Sequence, residues 1–112
     1  MNSLVKYLSE GKHPVEIILR TERSAETLKN WLERNFVNVR FTDTRGGTEL
    51  GFALNQEKTD LSQANLVEGT GRVRLVGSLI LDYVKVQCVA EIDLQTLNGK
   101  GYLETFPEES PS

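Results

Sequence analysis

The chain has 112 residues, 38% hydrophobic and 26% charged, with a formal net charge of −3. That suits one domain with one core and gives no bulk attraction to nucleic acid or to anionic membranes, although a local basic patch stays open. A single cysteine, Cys88, excludes an internal disulfide and a cysteine-based metal cluster.

The chain opens Met1-Asn2-Ser3-Leu4-Val5-Lys6, without the basic start and apolar run of a secretory signal. No apolar stretch approaches the roughly 18 residues a membrane span needs. A cytoplasmic, reducing setting is therefore expected.

Leu4, Val5 and Leu8 share one side of a short helix over 3–10, ended by Gly11 and Pro14. Val15 to Arg20 reads as a strand, and residues 21–23 as a connection. The main helix spans 24–35. Ser24 can cap its N-terminus by accepting an orphan backbone N–H. Glu26 suits the first turn, where the helix dipole favours a carboxylate. Leu28, Trp31 and Leu32 form its apolar stripe, and Asn35 is its stop.

The period then becomes two. Val37, Val39 and Phe41 lead into the turn Thr44-Arg45-Gly46-Gly47, and Leu50, Phe52 and Leu54 return, so 37–54 is a hairpin. Residues 55–71 lack clear periodicity and form a long polar loop, with room for a short helix at 60–67. Within it, Thr59-Asp60-Leu61-Ser62-Gln63-Ala64-Asn65-Leu66-Val67-Glu68 resembles two units of a pentapeptide repeat. Two units fall short of the roughly three a solenoid needs, so the resemblance implies no function.

The last region reads as a β-meander. Val73 and Leu75 are apolar at odd positions; Val86, Cys88, Ala90, Ile92 and Leu94 are apolar at even ones. A one-residue change of parity exchanges the faces of a strand, so a turn or bulge lies between Asp82 and Lys85. Residues 76–84 are apolar at most positions and are expected to be the most buried part of the sheet. Asn98-Gly99 signals a second turn, returning through Tyr102 and Phe106. The first 106 residues make the domain, and 107–112 are expected to be a disordered tail.

The expected fold is α+β: a single antiparallel sheet of about five or six strands, β-α-β-β and then a meander, with the 24–35 helix on one face.

No residue set forms a recognisable catalytic motif. Cys88 lies on the apolar parity and is expected to be an inert core thiol. His13 reads as a solvated loop histidine without a partner. Glu91 and Asp93 share one strand face and form an acidic patch, which polar-out alternation produces unaided. Arg40, Arg72 and Arg74 occupy polar strand positions and Arg45 tops the hairpin. If their strands are neighbours they form one anion-binding patch. Neither Gly46-Gly47 nor Gly69-Thr70-Gly71 opens a helix after a strand, as a phosphate loop would.

The expected function is a non-enzymatic protein-interaction or assembly module without cofactor or metal. Homodimerisation through an edge strand left by the meander is part of that expectation. Alternatives are a nucleic-acid or anion-binding domain using the arginines, and a ligand pocket between sheet and helix into which Glu91 and Asp93 point.

Overall fold

The computed structural model describes residues 3–19, 24–81 and 83–105. Two helices, α1 (Ser3–Ser9) and α2 (Ala25–Glu33), accompany seven strands. These are β1 (His13–Ile17), β2 (Phe36–Phe41), β3 (Thr48–Ala53), β4 (Ala64–Asn65), β5 (Thr70–Leu81), β6 (Val84–Asp93) and β7 (Asn98–Thr105). Every pairing is antiparallel, in the order β3-β2-β1-β7-β6-β5-β4. The expected α+β architecture is present, with seven strands because residues 64–65 add a short one. The expectations for residues 21–23, Asp82, Phe106 and the 107–112 tail concern residues outside those described.

Local chemistry sets the elements. Ser24 caps α2, its hydroxyl accepting the Thr27 N–H at 3.2 Å. Asn35 follows the helix with φ 61°, the left-handed conformation that Asn tolerates and that stops a helix. Leu28 and Leu32 bury the apolar stripe of α2, and Val5 and Leu8 that of α1. Gly46 and Gly47 both take positive φ between β2 and β3.

One parity of each strand faces inward. Val15 pairs with Phe41, Val39 with Leu50, Val73 with Ile92, and Cys88 with Leu103, and all eight are buried. The parity change is a two-residue link: Leu81 pairs with Val84, so β6 starts with its faces exchanged relative to β5.

The sheet also curls. β3 crosses β5 over its inner face at Gly77. A Cβ there would lie 2.2 Å from the Ala53 carbonyl oxygen and 2.4 Å from the Phe52 ring, so this crossing requires glycine.

Residues 55–69 do not form the helix for which 60–67 has room. They run as Asx turns, with Asn55, Asp60 and Asn65 carboxyl or amide oxygens accepting the N–H two residues on. This strap lies along β5. The Asn55 N–H reaches the Val76 oxygen at 2.7 Å, and Asp60 and Arg74 exchange backbone bonds of 2.8 and 2.9 Å.

Three expectations are corrected. The last turn is at 94–97, not at Asn98-Gly99, which begin β7. Asp93 pairs with Asn98 across it, the Leu97 N–H reaches the Asp93 oxygen at 2.7 Å, and Leu94 and Leu97 are buried. Burial of two leucines outweighs the local preference of Asn-Gly for a turn. Next, residues 76–84 are not the most buried stretch. Val76 is buried, but Ile80 is 72% exposed and Tyr83 fully exposed. Finally, β7 is no edge strand; it sits between β1 and β6, and the edges are β3 and β4.

Candidate functional site

The six charged residues singled out in the sequence all lie on the outer face or at a turn. The four arginines do not converge. β2, which carries Arg40, is separated from β5, which carries Arg72 and Arg74, by three intervening strands. Arg45 stands in the β2–β3 turn.

The register instead weaves opposite charges together. One row across the sheet reads Glu49, Arg40, Glu16, Asn98, Asp93, Arg72. The next reads Pro14, Lys100, Glu91, Arg74, Asp60. The Glu91 carboxylate is 3.4 Å from Lys12 Nζ and 4.0 Å from an Arg74 nitrogen, and Arg40 is 3.7 Å from Glu16. Asp60 is held below the ordinary carboxylate value by hydrogen bonds from the Ser62 hydroxyl and N–H, with help from Arg74.

Glu91 and Asp93 share the outer face of β6, but each faces an arginine, Asp93 opposite Arg72 and Glu91 opposite Arg74, so the two carboxylates are interleaved with basic residues. Two shallow depressions lie along these rows, of about 100 and about 240 Å³, and share Arg72 and Glu91. Both belong to the outer face. The space between α2 and the sheet is occupied by Leu28, Leu32 and the inner side chains, so Glu91 and Asp93 point away from it. Among the described residues, no three His, Cys, Asp or Glu side chains are placed to hold a metal ion.

His13 corrects the reading of it as a solvated loop residue. It begins β1, shares the inward parity of Val15 and Ile17, and is only 6% exposed. That shared parity was the signal by which the sequence could have revealed it. Its Nδ1 lies 2.8 Å from Asp43 Oδ2 and its Nε2 lies 3.1 Å from the Glu10 carbonyl oxygen. Both neighbours are acceptors, so the two bonds form together only when each ring nitrogen carries a hydrogen. The Tyr7 hydroxyl donates to the same Asp43 oxygen at 3.0 Å, and its ring packs on the imidazole at a centroid separation of 4.7 Å.

Burial pushes the Asp43 carboxyl up, but the hydrogen bonds from His13 and Tyr7 outweigh it and hold the group below its ordinary 3.8. The same carboxylate, by accepting the phenol's hydrogen bond, raises Tyr7 above its ordinary 10.0. The ring is buried and both nitrogens face internal partners, so neither is presented to a substrate for general-base work. The arrangement is a clamp joining α1, β1 and the β2–β3 turn. Cys88 is fully buried, and burial pushes its thiol up to about 12.

The remaining unusual feature is the β5–β6 hairpin. Among the described residues, the ladder from β6 to β7 ends at Val86 and Thr105, and the strap beside β5 ends at Val76. Residues 77–81 and 83–85 therefore lie beyond the described ladder partners of β5 and β6 on their outer sides. Tyr83 at the tip has φ 68°, a left-handed conformation rare for an aromatic residue. Its side chain is fully exposed, Ile80 beside it is 72% exposed, and Leu79, Leu81 and Val84 are half-buried.

No protein-family model matches this chain, and no curated protein matches it significantly in sequence.

Proposed function

We propose that the chain is a non-enzymatic, cytosolic protein-interaction module whose docking element is the tip of the β5–β6 hairpin. The observation that carries this reading is Tyr83, fully exposed and in a left-handed conformation next to exposed Ile80. Such backbone strain costs on the order of 1 kcal/mol or more, and it concentrates at functional sites. Buried aromatic anchors supply much of the energy of protein interfaces, and a projecting tyrosine is ready to be buried.

The two most reactive side-chain types in the chain are committed elsewhere, which supports a role without chemistry. Both His13 nitrogens are engaged and the Cys88 thiol is enclosed. The alternating charge rows weigh against nucleic acid, because each phosphate drawn to Arg72 or Arg74 also meets Asp93 or Glu91.

The test is affinity capture from native extract with the wild-type chain, an I80S/Y83S variant and an R72E/R74E variant. The reading expects a protein that the tip variant loses and the arginine variant keeps. The reading fails if the tip variant captures the same set as the wild type.

A further inference from the structure

We infer that the hairpin takes a second copy of this chain as its partner, the two copies pairing strand to strand along the part of β5, beyond β4 and the strap, that no described residue ladders. This rests on the hairpin reading above and adds the occupant and the register. The backbone hydrogen bonds carry the argument. Arg72 N–H bonds Gln63 at 3.3 Å, Arg74 exchanges two bonds with Asp60, and Val76 accepts from Asn55. The Val76 N–H also donates to the Thr59 hydroxyl at 3.2 Å, and that hydroxyl donates back to the Val76 oxygen at 3.2 Å. The even residues of β5 therefore aim both backbone groups sideways, away from β6.

The two-residue period of a strand extends this pattern to Ser78 and Ile80. Beyond Val76 no strand or strap residue among those described is laddered to that side. β3 does not cover the edge, because it crosses at Gly77 on the inner face, where a Cβ would point. Ser78 and Ile80 are both exposed.

The segment Gly77-Ser78-Leu79-Ile80-Leu81 holds neither charge nor proline. Charges and prolines are the devices that keep edge strands from pairing, and this edge lacks them. An antiparallel self-pair about a two-fold axis at Leu79 sets Ser78 opposite Ile80 of the second copy, and Ile80 opposite its Ser78. All four residues present sideways groups, so the parity closes two hydrogen-bonded pairs around a central Leu79–Leu79 contact. An uncharged segment meets no like charge when it pairs with itself, which makes a second copy the matching occupant. The pairing also covers the exposed Ile80.

Sedimentation velocity on the full chain, from low micromolar to several hundred micromolar, tests the proposal. The expected result is a monomer–dimer equilibrium. I80K, which places a charge on the edge, is expected to raise the dimer dissociation constant about tenfold or more while leaving the circular dichroism spectrum unchanged. Should I80K disturb folding, L79C gives a second readout. Under oxidation it is expected to form a covalent dimer across the two-fold axis, and S62C is not. A strict monomer over the whole range, or a dimer indifferent to I80K whose L79C form does not cross-link, overturns the inference. A strict monomer whose tip variant still loses a captured protein ends self-pairing alone and leaves the interaction-module reading standing.

Discussion

His13 and Asp43 stand thirty residues apart in the chain and meet at 2.8 Å, tying the start of β1 to the turn between β2 and β3. Asp43 also accepts the Tyr7 hydroxyl, so one carboxylate fastens the first helix as well.

Replacing that carboxylate has a signed pH dependence. Asp43 is held below 3.8 in the folded chain, so its contribution is present above that value and is lost as the pH falls through the lower folded value. D43N is expected to destabilise the fold by about 1–2 kcal/mol near neutral pH, the magnitude of a charge-assisted hydrogen bond. Urea unfolding of both chains from about pH 5 down to about pH 2 checks it, with the gap between them closing as the acid protonates the wild-type carboxylate.

Gly77 is expected to tolerate no side chain. The nearest obstacle to a Cβ is a backbone oxygen at 2.2 Å, which no rotamer change can move. G77A is expected to cost about 1–3 kcal/mol or more through overpacking, and G77V more still. The measurement is the shift in denaturation midpoint. A G77A chain of wild-type stability would mean that β3 does not cross β5 at this contact.

Cys88 is expected to resist thiol reagents in the native state. Its thiol is enclosed and pushed up to about 12, so almost no thiolate forms at mildly alkaline pH. A disulfide reagent at such a pH should titrate no thiol in buffer and one per chain in strong denaturant. Rapid labelling of the native chain would contradict the packing of β6 against the core.

Tyr83 is expected to trade stability for binding. Glycine accepts a positive φ without steric cost, so Y83G should raise stability by up to about 1 kcal/mol if its added flexibility in the unfolded chain does not cancel the gain. It should also weaken whatever association the hairpin tip supports. Thermal melts and the capture experiment read the two effects on one protein. A variant that is less stable and equally adhesive would remove the tip from the functional account.

Much of the fold was legible because its signals are local. The move of the apolar residues from odd positions at Val73 and Leu75 to even ones at Val86 and Cys88 marked the β5–β6 turn, and Ser24 and Asn35 marked the ends of α2. What failed depended on distant partners. Asn98-Gly99 has the composition of a turn, but Leu94 and Leu97 enter the core and draw the turn back to 94–97. The apolar run at 76–84 suggested cover on both faces, yet only Val76 meets the strap, and the tip projects beyond it. The arginine patch required β2 beside β5, and no local pattern states strand order. His13 carried the right parity, but its acceptor lies in a turn whose position depends on the whole sheet.

The place of β7 between β1 and β6 has a consequence for how the chain comes to be folded. A ribosome delivers β1, β2 and β3 early and the β5–β6 hairpin later. Until residues 98–105 are made, those two groups share no ladder, and β1 and β6 each expose an unpaired side. β7 then zips them into one sheet, making long-range contacts that carry a high loop-closure cost. A chain lacking residues 98–105 would therefore carry two adhesive sheet edges, one on β1 and one on β6.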